Sequence, residues 1–465
     1  MIPLRVQEVA DAVGGRLAGG ADPAAVVAGP VVVDSRQVAP GALFAALPGE
    51  RVDGHDFAAA ATGAGAVVVL AERELDVPCV VVDAGVPALG RLARAVLDRL
   101  PDVAVVALTG SSGKTSTKDL LAAVLGAAAP TVAPTGSFNN EVGVPLTVLR
   151  ADTSTRHLVV EMGARGAGHI ADLCRVAPPR VGIVLNVGSA HVGEFGSREA
   201  IARAKGEIVE ALPAADDGGV AVLNADDTLV AAMASRTAAR VVTFGESGGA
   251  DVRATDVDLD DRGRARFTLL TATGSAPVRL RLYGEHHVSN ALATAAAALS
   301  LGLDVASVAE ALSGAEPASR WRMEVTDRPD GVTVVNDAYN ANPESVRAAL
   351  KALVAMGRGR RTWAVLGEML ELGDAAAAEH DAIGRLAVRL DVSRLVVVGD
   401  GAKAVHTGAV HEGSWGEESV FVPDAEEAYA LLHEQLRAGD VVLVKASNSI
   451  GLHALGERLA GEGGS

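Results

Sequence analysis

At 465 residues the chain is longer than one ordinary hydrophobic core can organise, and about three domains are expected. Hydrophobic residues make up 49% and charged residues 21%, a balance that suits large buried cores, and aromatics at 3% make those cores aliphatic. A formal net charge of -17 excludes nonspecific binding to nucleic acid or anionic membrane, both of which demand a basic surface, so an anionic substrate must be met by local cations and metal.

In chain order, residues 1–98 mix short strand signals (VVVDS, AVVVLAE, CVVVDAG) with an Ala-rich helical stretch near Phe57 and read as a small α/β domain. A helix over 86–100 stops at Pro101, the first boundary. From Val103 continuous apolar strands alternate with helices: VAVVALTG, a helix after Lys114, HLVVEMGA, a helix after His169, VGIVLNVG, a helix after Arg198, and GVAVLNADD. This pattern predicts a parallel sheet covered on both faces, within a central domain over 99–318. Residues 251–283 alternate as an antiparallel excursion would, and an Ala-rich helix follows over 289–303. A third unit, 319–465, carries the strand runs VTVVND, TWAVLGE, LVVVGDG, VFVP and VVLVKAS and reads as a second doubly wound, Rossmann-like domain. The GDGAKA after Leu395 lacks the third glycine of a dinucleotide fingerprint, so NAD is not favoured. The GEGGS end is expected to be disordered.

Cys79 and Cys174 are the only cysteines, too few for a disulfide framework or a thiolate zinc site. The N-terminus, MIPLRVQEVADAVGG, is charged and lacks an apolar signal core, and the longest apolar stretch, 57–71, is too short to span a bilayer. A cytoplasmic, monomeric protein with no membrane insertion is the expectation.

One segment names a chemistry. In ALTGSSGKTSTKD a glycine loop leaves an apolar strand and opens a helix, offering backbone N–H groups to a polyphosphate, Lys114 to its terminal phosphates and the Thr115 hydroxyl to magnesium. Only Ser111 and Ser112 separate Gly110 from Gly113, and Leu108 stands where the Walker A motif has its first glycine. G-x-x-G-K-[ST] should arise by chance in about one chain in a hundred of this length, which favours phosphate binding over a ligand-free turn. ATP is the leading ligand, held by Gly110, Ser111, Ser112, Gly113, Lys114, Thr115 and Ser116.

Polar residues recur at the ends of the central strands, where α/β folds place ligands: Glu161, Asn186, then His191, Asn224 and Asp226. An acid one strand from the loop is the usual second anchor of magnesium, and Glu161 is the candidate. Only six of 41 cationic residues are Lys. Lys205, in ARAKGEI, and Lys445, ending VVLVK, therefore stand out as places where an amine is needed rather than a guanidinium.

The motifs TGSSGKTSTK, FNNEVGVPLT, EMGARGAGHI, SAHVGEFGS, AKGEI, the NALA helix, NDAYNANPESV, LGEMLELG and LVKAS occur in the order seen in Mur ligases, which build the peptide of bacterial cell-wall precursors, and the resemblance covers essentially the whole chain. Tyr339-Asn340-Ala341-Asn342-Pro343 with Phe138-Asn139-Asn140 is most similar to the member that adds D-alanyl-D-alanine to UDP-N-acetylmuramoyl-tripeptide. The resemblance implies ATP and two magnesium ions, with Thr115 and Glu161 on one and His191 on the second. It implies that Lys205 is a lysine carbamylated in many members, able then to hold metal. It further implies Asn290 as an adenine contact, Arg320 as a γ-phosphate contact and Asp337 as a nucleotide contact across the cleft. Ser35, Arg36, Asn139 and Asn140 would fall on the UDP-sugar side, and Lys445, Asn340 and Asn342 near the dipeptide. Lys114, His191, Lys205 and Arg320 would form the catalytic set, with domain closure completing the ATP site.

Three positions depart from the family pattern: His286-His287 in place of His-Asn, Asn448 where a basic residue is usual, and His453 where glutamate is usual. The alternatives are another ligase of the family, a P-loop phosphotransferase or ATPase that makes no amide, and a degenerate ligase that only binds nucleotide.

Overall fold

In the computed structural model, which describes residues 1–49, 52–188, 192–413 and 418–461, three large sheets follow one another along the chain, in addition to a two-stranded ribbon of Leu4–Arg5 and Val26–Val27. The first has five strands, ordered Arg16–Ala18, Cys79–Val81, Val68–Ala71, Leu43–Ala45 and Val31–Val32, parallel except at its Arg16–Ala18 edge. Its four parallel strands are apolar because both faces are covered, whereas the antiparallel edge strand exposes Arg16.

The second sheet has nine strands. The strand Ala104–Thr109 lies between His157–Glu161 and Val181–Val184, all parallel, with Leu108 beside Glu161 and Thr109 beside Val184. This register brings the end of the loop-bearing strand level with the polar ends of both neighbours. Beyond Val220–Asn224 and Arg240–Gly245 the sheet turns antiparallel through Val252–Leu259, Arg264–Thr271 and Gly274–Tyr283, as the alternation over 251–283 predicts. The Ala-rich helix His287–Ser300 is buried along most of its length against one face, together with Lys114–Ala128. Small side chains suit this helix to a site with almost no exposed face.

The third sheet has six strands, with Thr333–Asn336, Val441–Lys445 and Thr362–Leu366 adjacent and parallel and an antiparallel edge at Glu324–Asp327. That edge strand and the helix Val305–Gly314 are additions to the sequence reading.

The first two sheets share a core. The helix Gly85–Leu97 buries Leu89, Leu92 and Val96 in one continuous apolar cluster with Leu43 and Leu70 of the first sheet and Val105 and Leu158 of the second. Cys79 and Cys174 are both buried. Among the described residues no helix is long and apolar enough to cross a membrane.

Candidate active site

The glycine loop leaves the C-terminal end of Ala104–Thr109 and opens the helix Lys114–Ala128. Gly113 has φ +80°, and a Cβ there would lie 2.5 Å from Asn290 Oδ1, so the position admits glycine alone. Asn186, at the end of the neighbouring strand, splints the turn: its Oδ1 accepts from the amides of Ser111 at 3.0 Å and Ser112 at 2.9 Å, and its Nδ2 donates to Ser112 O at 3.2 Å. The amides of Lys114, Thr115 and Ser116 then form the first turn of a helix, where N–H groups lack intrahelical acceptors and suit a phosphate.

Below the loop, hydroxyls and a carboxylate converge. Thr115 Oγ1 donates to Glu161 Oε2 at 3.2 Å and lies 3.1 Å from Ser137 Oγ, while Glu161 Oε1 accepts from Asn139 Nδ2 at 2.8 Å. Thr115 and Glu161 are buried. Lys114 Nζ donates to Gly110 O at 2.7 Å. Burial holds the Lys114 pKa below the usual lysine value, with the Glu161 charge opposing and the Arg322 charge adding to the effect. Lys205, on the helix Arg198–Glu210, reaches the same cleft and is also buried. Its pKa is held well below the ordinary value, first by burial and then by the charge of Lys114.

The opposite wall comes from the third unit. Arg322 Nη2 lies 3.3 Å from Thr115 Oγ1 and 3.5 Å from Ser137 Oγ, and its guanidinium stacks 4.2 Å over the Tyr339 ring. Its Nε is buried with no acceptor among the described residues. Asn342 caps the helix Pro343–Met356 through its Oδ1, which accepts from Ser345 N at 2.8 Å, and its Nδ2 reaches across to Ser111 O at 3.3 Å. The two walls enclose a cleft of about 780 Å³.

Of the residues expected at the site, Ser111 to Ser116, Glu161, Asn139, Asn140, Lys205, Asn340 and Asn342 line this cleft. Asn290 does not line it but abuts Gly113 from beneath. Neighbouring His287 is buried with Nδ1 3.3 Å from Asn290 Nδ2 and Nε2 unpartnered among the described residues, and burial keeps its pKa well below the usual histidine value. His191 lies outside the described residues.

Five residues stand elsewhere. Arg320 does not enter the cleft: its side chain is 67% exposed, pairs with Glu457 and lies 5.3 Å over the Trp321 ring. Trp321 has φ +57°, so the backbone turns sharply between the two arginines and sends only Arg322 to the loop. Asp337 is buried and accepts from Met323 N at 3.0 Å and Lys445 Nζ at 2.6 Å. Lys445, equally buried, also donates to Asn340 O at 2.9 Å, so this pair fixes the segments that carry Arg322 and Asn340 and does not face the cleft. Ser35 and Arg36 sit on a 3₁₀ turn of the first unit, outside the cleft, where Arg36 pairs with Asp34 and lowers that carboxyl to about 2. Sequence reasoning missed Arg322 and the splinting role of Asn186. Arg322 lies two residues before the strand Glu324–Asp327, closer to it than Arg320, a signal that it is the better anchored of the two arginines.

Family models for the Mur ligase catalytic domain, middle domain and glutamate ligase domain match residues 30–110, 108–298 and 321–448. The UDP-N-acetylmuramoyl-tripeptide--D-alanyl-D-alanine ligase of Mycobacterium tuberculosis is 52% identical, over 99% of this chain and 98% of its own. The crystal structure of MurF from Acinetobacter baumannii superposes with a TM-score of 0.88 at 33% identity, covering 98% of this chain and 99% of that one. MurF ligase from Thermotoga maritima in complex with ADP gives a TM-score of 0.79 at 30% identity, with 93% and 97% covered. With a glycine loop facing an arginine-bearing third unit and these matches along its whole length, the chain belongs to the Mur ligase family.

Proposed function

We propose that this chain is an ATP-dependent amide ligase that joins D-alanyl-D-alanine to UDP-N-acetylmuramoyl-tripeptide, a step in peptidoglycan precursor synthesis. One observation carries the reading. The loop, Glu161 and Lys205 of the central unit meet Arg322, Tyr339 and Asn342 of the third unit in a single cleft. A simple ATPase has no evident need for the second wall. The relatives with this substrate pair in their names match over nearly the whole chain, and ADP in the Thermotoga maritima neighbour supports nucleotide use.

In this reading residues 99–318 hold ATP, residues 319–465 close over it, and residues 1–98 take the UDP-sugar through Ser35 and Arg36, with Asn139 and Asn140 facing the same substrate. The tripeptide carboxylate attacks the γ-phosphate, and the resulting acyl phosphate is attacked by the dipeptide amine, giving amide, ADP and phosphate. Two unit negative charges about 4 Å apart repel by roughly 4 kcal/mol at an effective dielectric near 20. Lys114 and Arg322 are placed to offset this, with the first-turn amides of the loop helix. Asn290 supports the loop beneath the nucleotide. Closure of the third unit keeps water from the acyl phosphate.

Thr115 and Glu161 suit a magnesium ion: their oxygens are hard donors 3.2 Å apart in a buried setting. Among the described residues no group of three His, Cys, Asp or Glu forms a metal cluster, and a magnesium ion that keeps phosphate and water ligands does not require one. When bound, the ion would neutralise charge on the phosphates. A second ion is assigned to His191 and a carbamylated Lys205; the neutral amine that burial favours at Lys205 is the form that adds carbon dioxide. The reading places the enzyme in the cytoplasm, where ATP is available, and as a monomer.

ADP release measured with UDP-muramoyl-tripeptide, with D-alanyl-D-alanine, and with both tests the reading. Release only with both supports it; release with neither identifies an ATPase, and no release with both refutes the substrate pair. Activity that survives carbon dioxide depletion, or an active Lys205→Ala variant, removes the carbamate.

A further inference from the structure

We infer that Lys118, buried about one helical turn beyond Thr115, is a positioning residue that sets Arg322, with Ser137, at Thr115 on the phosphate side of the cleft; the inference rests on the ligase reading above. Lys118 does not line the cleft, and the mechanism gives it no contact with substrate. It is nonetheless buried, and a charge stays out of water only where partners offset the loss of hydration. Its Nζ donates to Pro134 O at 3.1 Å and to Ser319 Oγ at 3.4 Å and pairs with the Asp119 carboxylate. Three acceptors thus meet the three donors of an ammonium.

The contacts form two levels on one face of the helix Lys114–Ala128. Thr115 and Lys118 are three residues apart, so their side chains share that face, about 4.5 Å apart along the axis. Two other segments cross the face, each with its own pair three residues apart: Pro134 with Ser137, and Ser319 with Arg322. At the upper level Thr115 Oγ1 lies 3.1 Å from Ser137 Oγ and accepts from Arg322 Nη2 at 3.3 Å. At the lower level Lys118 takes the carbonyl of Pro134 and the hydroxyl of Ser319. Both segments therefore run against the helix in the same register, and the Lys118 ammonium is the group they share below Thr115. Ser319 lies between the helix Val305–Gly314 and the strand Glu324–Asp327, where the chain passes from the central unit to the third. Fixing it there limits where the turn at Trp321 can deliver Arg322.

The residue type agrees with this role. Only six of the 41 cationic residues are Lys, and this corner needs donors radiating from one atom toward the helix and both crossing segments, which the planar fork of Arg supplies poorly. Lys114, four residues earlier, donates to Gly110 O within the loop and lines the cleft. Lys118 instead reaches the two segments that bring Ser137 and Arg322 to that loop.

Wild-type ADP release with both substrates is measured first; its absence refutes the ligase reading and this inference with it, whereas the outcomes below, read on an active wild type, bear on Lys118 alone. Lys118→Met, which keeps the length of the side chain and removes the ammonium, is then compared in the wild-type and Arg322→Ala backgrounds, with ADP affinity followed by calorimetry. In the wild-type background kcat is expected to fall about tenfold to a hundredfold, with the ATP KM and the ADP affinity within about threefold of wild type. Beside Arg322→Ala the same change should lower kcat by less than about threefold, because a residue that acts through Arg322 then has little left to position. Lys118→Arg, which keeps the charge, should stay impaired by at least about threefold. Ser319→Ala removes only the linker contact, from a half-buried site, and should lower kcat about threefold to tenfold alone and less than about twofold beside Arg322→Ala. This second variant decides the matter where Lys118→Met fails to fold. The inference is overturned by wild-type kcat in Lys118→Met or Ser319→Ala, by a parallel loss of ADP affinity, by full recovery in Lys118→Arg, or by losses that add to that of Arg322→Ala.

Discussion

Replacing Arg322 by alanine removes the one guanidinium that, among the described residues, the third unit brings within hydrogen-bonding distance of the loop, 3.3 Å from Thr115 Oγ1. A unit charge about 4 Å from a phosphate oxygen contributes roughly 4 kcal/mol at an effective dielectric near 20, and each 1.36 kcal/mol is tenfold in rate. Arg322 is only partly buried, so solvent screening reduces this, and kcat is expected to fall by about two to three decades. The loss should appear in kcat more than in the ATP KM, because charge accumulates on the phosphoryl group as it transfers. The assay is steady-state ADP release with both substrates, alongside single-turnover acyl-phosphate formation, with Arg320→Ala as the control. Arg320 is exposed and pairs with Glu457, so its loss should change kcat by less than about threefold. A Arg322→Ala variant within about threefold of wild type, or an Arg320→Ala variant more impaired than it, would refute the assignment.

Gly113→Ala places a methyl 2.5 Å from Asn290 Oδ1 at φ +80°, and a left-handed alanine alone costs about 1–2 kcal/mol, so calorimetric ADP affinity should drop tenfold or more, to about a tenth of wild type at best. Lys445→Met leaves the buried Asp337 carboxylate without its 2.6 Å partner and should cost about 3–5 kcal/mol in urea unfolding. If the dipeptide KM shifts instead with stability unchanged, Lys445 contacts substrate and not Asp337. Leu89→Ala, in the helix shared by the first two sheets, should cost about 2–5 kcal/mol and move one joint transition; separate melting of the two units would contradict the shared core.

Much of the site was legible because it is local in sequence. A glycine loop between an apolar strand and a helix fixes its own backbone, so the turn from Gly110 to Ser116 follows from residue order and stereochemistry. Glu161 could be named because parallel strands end together, and the register of His157–Glu161 against Ala104–Thr109 bears that out. Arg320 and Arg322 could not be separated, because two cations two residues apart differ only in a turn at Trp321 that tertiary contacts with Tyr339, His453 and Glu457 hold in place. Lys445 looked functional for the same reason it is buried: an amine ending an apolar strand must find a partner, and whether that partner is substrate or Asp337 depends on a strand more than 100 residues away in the chain.

The sequence by itself determined the α/β class, the order of the units, the phosphate loop and the family, since each rests on periodicity or on motifs contiguous in the chain. Only the tertiary structure decided which arginine faces the loop, that Asp337 and Lys445 brace the wall, and that the first two sheets share one core. Those outcomes depend on contacts between segments remote in sequence, and no local propensity encodes where a distant wall will stand.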